Sequence, residues 1–294
     1  MRRTVIIGIF DGVHRGHQEL ISLAKEKGHV IALTFDPHPT SIVAPERTPS
    51  QLVSVIDRVA LLQSYGVDQV VVKEFTREFA ALSPEEFISQ VLVGELKVTD
   101  VIVGENFTFG NKASGNVETL RANVHGLQIQ IAELEENRGT TISSTRIRHL
   151  ITDGDIERAA DLMTRNHYLV GPVVHGEKRG RTIGYPTANI GLDPLATIPA
   201  DGIYAGWLSV AGVRWASAIS IGTNPTFPGV RGRQVEAYAL DQIGLDLYDQ
   251  IATVEFVARL RDTLKFDGLD PLLTQMKKDC DQARDILNPA KELS

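Results

Sequence analysis

Two textures of hydrophobic patterning divide the chain. Through its first half, short apolar runs at 4–7, 30–35, 67–72, 98–103 and 127–134 alternate with stretches whose apolar residues recur every three or four positions. The short runs, rich in β-branched residues, predict strands, and the stretches between them predict helices. One helix is announced by Ser83-Pro-Glu-Glu86, a capping box with proline at its first helical position, and continues with Phe87, Ile88, Val91 and Leu92 on one face. Another is expected over roughly 52–65, stopping before Gly66, where a left-handed cap costs glycine little. Strands apolar throughout and separated by helices predict a parallel sheet covered on both faces, with ligands at the carboxyl ends of its strands.

Beyond Arg165 the expected strands follow one another directly, at 168–174, 203–210, 213–221, 235–240 and 252–260. Ala211-Gly212 supplies a hairpin turn, and the spacing predicts a small antiparallel barrel. A last helix is expected where Leu269, Leu273, Met276, Cys280, Ala283 and Leu287 recur at helical spacing, laid on the barrel with Cys280 as a core residue. The helical segment 155–165 closes the first texture. The expected domains are therefore 1–166 and 167–294, each long enough to bury its own core.

The first strand breaks into Gly8-Ile-Phe-Asp-Gly-Val-His-Arg-Gly-His17. A strand that turns through glycines into a helix start presents unpaired N–H groups and partial positive charge, a natural seat for phosphate. His14 and His17, one turn apart, fall on one face and can donate to a single polyphosphate. Gly12 and Gly16 lack the Cβ that would hold a phosphate oxygen at a distance. This pattern points to nucleotide binding and, most economically, to nucleotidyl transfer.

Charge narrows the partners. A formal charge of −7 over 294 residues gives no global field attractive to nucleic acid, so a bound anion must be met by local groups. One cysteine excludes an intrachain disulfide, and no leader-like pattern precedes the first strand, so a cytoplasmic protein is expected. No apolar run approaches the ~20 residues of a membrane span. Self-association is left open.

Further segments carry chemistry. Asp36-Pro-His-Pro39 leaves the second strand as a stiff loop, which reads equally as a ligand contact or as a turn with an incidental histidine. Gly104-Glu-Asn-Phe-Thr-Phe-Gly110 ends the fourth strand and offers Asn106 with two rings, Phe107 and Phe109, suited to stacking on a flat aromatic ligand. Ser143-Ser-Thr-Arg-Ile-Arg148 opens a helix with hydroxyls and arginines, a second anion clamp. In the second half, Gly180-Arg-Thr-Ile-Gly-Tyr-Pro-Thr-Ala-Asn189 offers Thr187 and Asn189 as neutral oxygen ligands of the kind Mg²⁺ accepts beside phosphates, with glycines that let amides reach phosphate. Glu236 shares a strand face with Tyr238 and Leu240 and is a candidate base. The alternation leaves open whether that face points into the barrel or into water.

GIFDGVHRGH, FDPHP, GENFTFG, SSTRIR, GRTIGYPTAN, PADGIYA, IGTNPTF and VEAYALD, in that order, resemble the bifunctional riboflavin kinase and FMN adenylyltransferase family over nearly the whole chain. The resemblance implies an α/β plus β protein: a Rossmann-like nucleotidylyltransferase domain of the HxGH superfamily, then an antiparallel barrel with a C-terminal helix. It implies that ATP converts riboflavin to FMN and a second ATP converts FMN to FAD, with Mg²⁺ in both steps. Carried onto this sequence, Gly8, Phe10, Asp11, Gly12, His14, Gly16, His17, Asn106, Ser143, Ser144, Thr145 and Arg148 would bind ATP for adenylylation. Gly180, Thr187 and Asn189 would serve the kinase nucleotide and its metal, Glu236 would be the general base, and Asp36, His38, Phe107 and Phe109 would meet the flavin. Ile183 and Tyr185 stand where leucine and phenylalanine are common. Asp249 stands where glycine is common, which predicts an altered turn.

Overall fold

The computed structural model describes residues 2–122, 125–133, 136–137, 139–176, 183–222 and 233–288, and it divides into two compact units, Met1–Ser144 and Thr145–Ser294. The first unit carries strands β1 (Arg3–Ile7), β2 (His29–Asp36), β3 (Gln69–Glu74), β4 (Asp100–Gly104) and β5 (Gln128–Ala132). They form one sheet in the order β3-β2-β1-β4-β5, every pair parallel. Alternate residues of β1 serve opposite layers. Val5 and Ile7 join Leu33, Val101 and the buried Phe87, Ile88, Val91 and Leu92 in one cluster, while Ile6 joins Val30, Ile102 and helix Arg15–Lys25 in another. A sheet buried on both faces explains why its strands are apolar throughout.

The capping box at Ser83 forms in both directions, Glu86 N to Ser83 Oγ at 3.2 Å and Ser83 N to Glu86 Oε2 at 2.8 Å. Its helix turns once as α over Pro84–Glu86 and runs on at the wider π pitch over Phe87–Glu95. The helix expected near 52–65 is Val55–Ser64, capped by Ser54. Leu52 and Val53 stay outside it because their amides are held by a side chain described below. A two-strand hairpin, β6 (Glu136–Asn137) with β7 (Thr140–Thr141), was not expected.

In the second unit, helices Ser144–Asp153 and Ile156–Met163 precede β8 (His167–Val174), β9 (Ala188–Ile190), β10 (Gly202–Val210), β11 (Val213–Gly222), β12 (Gln234–Ala239) and β13 (Ile251–Arg261). The strands close as an antiparallel barrel, β10-β11-β12-β9-β8-β13 and back to β10. Leu169, Tyr204, Leu208, Ile219, Val254 and Phe256 are among the side chains that fill it. Gly206 sits at a register shift of β10 against β13, where a Cβ would run into the carbonyl of Glu255. The compact units divide ahead of the 166/167 boundary expected from the pattern. Ile156 belongs to the barrel's apolar cluster, and Arg259 N donates to Glu157 Oε1 at 3.1 Å, so the connecting helices fold with the barrel. Helix Leu269–Ile286 ends the fold and buries Cys280 and Ala283, with Leu287 just past it, against Ala205 and Leu240.

Candidate active sites

The first unit holds a cavity of about 320 Å³ at the carboxyl end of β1, lined by Gly8, Phe10, His14, Gly16, His17 and Asn106 among others. The chain reaches it through three left-handed residues, Phe10 (φ 53°), Gly12 (φ 81°) and Val13 (φ 39°). Two of these are not glycine. Such strain costs on the order of 1–3 kcal/mol per residue and persists only where the surroundings enforce it. Gly12 takes this region without strain, and a side chain there would crowd Leu52, since a Cβ would stand 2.7 Å from Leu52 Cδ1. The turn delivers His14 as the residue before helix Arg15–Lys25. The His14 and His17 rings stack with centroids 3.7 Å apart and planes 20° apart, and Phe10 meets His17 edge-on at 5.2 Å. A Cβ on Gly16 would lie 3.5 Å from the His14 ring, an ordinary van der Waals contact. Two imidazoles at one helix N-terminus form an anion seat with directed donors.

Asp11 points away from this cavity. It is 2% exposed, and its carboxylate accepts from the amides of Leu52 (3.0 and 3.1 Å) and Val53 (3.3 Å). Its backbone carbonyl accepts from Ser144 Oγ at 2.8 Å. Ser143 and Ser144 line the cavity. Thr145 and Arg148 follow Ser144 on the same helix and belong to the second unit. Of the two expected stacking rings, Phe107 reaches the cavity. Phe109 is 7% exposed and packs on Phe87 in the core, with its ring against that of Phe107 at 5.4 Å. Asp36 and His38 do not line it. His38 Nδ1 accepts from Thr40 N at 3.2 Å and caps the short helix Pro39–Val43. One buried group escaped the sequence reading altogether: Arg58, 2% exposed, set in an apolar helix where a charged residue reads as solvated.

The second unit holds a larger cavity, about 1050 Å³, bordered by Gly176, Pro186, Thr187, Asn189, Tyr238 and the loop 241–248. Thr187 Oγ1 donates to Glu236 Oε2 at 2.9 Å, and Asn189 lies directly across from Glu236 in the β9–β12 register. Gly176 is required by contact, because a Cβ there would collide with the Asn189 amide. Along β12 the inward residues are Val235, Ala237 and Ala239. Glu236 and Tyr238 therefore face outward. Tyr238 and the buried Leu240 belong to the layer under the C-terminal helix, which is neither the barrel interior nor open water. Tyr185 meets Tyr238 edge-on at 5.1 Å. Arg284 of that helix grips Asp241 with Nε–Oδ2 at 3.0 Å and Nη2–Oδ1 at 2.7 Å, and so fixes the near end of the cavity loop. Gly180 and residues 223–227 of the IGTNPTF segment lie outside the described residues.

Comparison with known proteins agrees with a chain of two parts. Residues 1–146 match the family model described as FAD synthetase and residues 163–287 the one described as riboflavin kinase. A bifunctional riboflavin kinase/FMN adenylyltransferase of Bacillus subtilis (strain 168) is 34% identical over 291 residues, covering 96% of this chain and 92% of the relative. The protein of the same name from Escherichia coli (strain K12) is 34% identical over 293 residues, covering 97% and 93%. A crystal structure described as a macrolide-efflux protein from Streptococcus pneumoniae has a TM-score of 0.88 at 32% identity, covering 96% of this chain and 94% of that one. Among the described residues here, no helix is long and apolar enough to cross a membrane. Two family models matched in order, and relatives of one name aligned along almost the entire length, mean that the chain belongs to the bifunctional riboflavin kinase/FMN adenylyltransferase family.

Proposed function

We propose that the two reactions of this flavin-cofactor enzyme are divided between the two cavities, with the imidazole pair serving adenylyl transfer and the Thr187–Glu236 pair serving the kinase. The enzyme phosphorylates riboflavin to FMN with ATP and then joins FMN to the adenylyl group of a second ATP, giving FAD and pyrophosphate. The observation that carries the division is the contrast in chemistry: stacked His14 and His17 in one unit, and a carboxylate held by a threonine hydroxyl in the other.

The FMN phosphate is already an anion near neutral pH, so its oxygen attacks the α-phosphorus without surrendering a proton. Charge neutralisation and alignment are what this step needs. His14 and His17 supply donors to the triphosphate and to the departing pyrophosphate, and Asn106, Ser143 and Ser144 complete the set in this reading. Asp11 and Gly12 act behind them, holding the loop. Phe107, which lines the cavity, would meet the flavin or the base in this reading.

The ribityl hydroxyl of riboflavin is neutral, so forming its bond to the γ-phosphorus releases a proton that Glu236 accepts as ADP leaves. Holding the Thr187 hydroxyl uses one acceptor site of a carboxylate that has about four. Thr187 donates its hydroxyl hydrogen bond to Glu236 and keeps its proton, which leaves the oxygen's lone pairs for a cation. With the Asn189 amide this donor set fits Mg²⁺, which keeps waters and substrate phosphates in its shell. Bound there, Mg²⁺ would neutralise phosphate charge.

The test is product analysis by chromatography after incubating the enzyme with ATP and either riboflavin or FMN. Glu236→Gln is expected to lower FMN formation by about two to four powers of ten, the usual worth of a positioned base, and to leave FAD formation from FMN near wild type. Equal loss of both activities rejects the division.

A further inference from the structure

Arg58 touches neither cavity, yet among the described residues it is the largest of the almost fully buried side chains and it carries a charge. It projects from helix Val55–Ser64 beneath the loop that delivers His14. Its Nη1 donates to Thr34 Oγ1 at 3.0 Å and to the Phe35 carbonyl at 3.2 Å, and its buried Nε has no hydrogen-bond partner among the described residues. Thr34, itself 0% exposed, passes the contact on, because its hydroxyl donates to the Ile9 carbonyl at 3.0 Å. Asp11, two residues along, takes the amides of Leu52 and Val53 just ahead of the Arg58 helix. The strained turn of Phe10, Gly12 and Val13 is thus anchored on the side away from the cavity.

We propose that Arg58 is a positioning residue for adenylyl transfer, fixing the Ile9–Asp11 backbone through Thr34 and thereby the seating of His14 and His17. The proposal rests on the assignment of the imidazole pair to that reaction. Burial depresses the Arg58 guanidinium below its usual pKa, while Asp11 and Asp36 hold its charge in place. Taking a guanidinium out of water is costly, and an apolar side chain of the same volume often stabilises a fold as well or better. What such a replacement lacks is direction. A planar cation bonded to Thr34 and Phe35 admits few loop geometries, whereas methionine admits many.

The experiment measures both activities of the full-length enzyme, with thermal unfolding, for Arg58→Met, Arg58→Lys, Thr34→Val, the Arg58→Met/Thr34→Val double variant and His14→Ala. Misplacement of reacting groups by about an ångström costs on the order of 10²-fold, so Arg58→Met is expected to lower kcat for FMN adenylylation about tenfold to a hundredfold. Its KM for ATP should stay within about threefold and the kinase rate within about twofold. Arg58→Lys restores charge without the planar fork and should recover part of kcat. Thr34→Val keeps the volume and cuts the relay, so its loss should overlap that of Arg58→Met instead of multiplying with it. An unchanged kcat in Arg58→Met, a change confined to KM, or losses that multiply in the double variant overturn the proposal. Should Arg58→Met lose both activities by unfolding, Thr34→Val decides: an unaltered kcat overturns the proposal and a selective loss supports it. Retention of FAD formation by His14→Ala overturns the assignment of the imidazole site and this proposal with it.

Discussion

Asp249 adopts a left-handed backbone, φ 61°, and its amide donates to the Val173 carbonyl at 2.9 Å. Asp249 thus takes the left-handed region that glycine enters most easily, and aspartate tolerates this region better than most other side chains do. Two effects oppose each other in Asp249→Gly. Relief of the left-handed strain contributes about 1 kcal/mol, and the freedom glycine gains in the unfolded chain takes back about the same. The net change in unfolding free energy should stay within about 0.5 kcal/mol, with kinase kcat/KM preserved. Asp249→Val, β-branched and forced to positive φ, should cost about 2 kcal/mol. Denaturant titrations of the two variants check this, and a destabilised glycine variant would mean that the carboxylate itself matters. Glu236 shows the limit of reading at this scale. Alternation along β12 sorted its residues into two faces but could not say which face is the interior, because that depends on the neighbours β11 and β9. Arg58 was illegible for a similar reason, its partners Thr34 and Phe35 lying on another element.

Most of the strands of both sheets could be read from the chain, because each is long enough for its period to show. β9 could not. Three residues set behind a Gly-Tyr-Pro run look like a loop, yet they close the barrel between β12 and β8 and carry Asn189 into place. The C-terminal helix was legible only along one stripe. Cys280, Ala283 and Leu287 are buried as their spacing implies, but Leu269 is 53% exposed, while Asp279, a polar residue, is 4% exposed. Asp279 is buried because Arg261 on β13 meets it with two bonds, Nε–Oδ1 at 2.9 Å and Nη2–Oδ2 at 2.6 Å, and Gln275 adds a third at 2.9 Å. No local pattern encodes that pairing. Breaking a buried pair strands the remaining charge, so Asp279→Leu should destabilise the barrel unit by about 3 kcal/mol, and adding Arg261→Met should recover most of the loss. A double variant no more stable than the single one would show that the helix needs the ion pair itself.

Each unit has its own core, so conditions that unfold one need not unfold the other. His167, the first residue of β8, is 2% exposed and stacks on Phe256 with centroids 6.0 Å apart. Its Nε2 lies 2.8 Å from the Thr197 carbonyl, an acceptor only, so Nε2 carries the hydrogen of the neutral ring. Burial lowers its pKa to about 4, the Thr197 bond opposes this, and Arg165 reinforces it. The unfolded chain takes up the proton near pH 6.5, the native barrel only near pH 4, so between these values the native state binds fewer protons. Stability of the second unit must then fall as the pH falls through this window, by about 2 kcal/mol between pH 7 and 5. His167→Gln keeps an N–H for Thr197 and has nothing to titrate, so its unfolding free energy should be flatter over the same range. Denaturant unfolding at pH 7, 6 and 5, read through loss of kinase activity, measures the slope. If wild type and His167→Gln lose stability in parallel, the acid sensitivity of the barrel originates elsewhere.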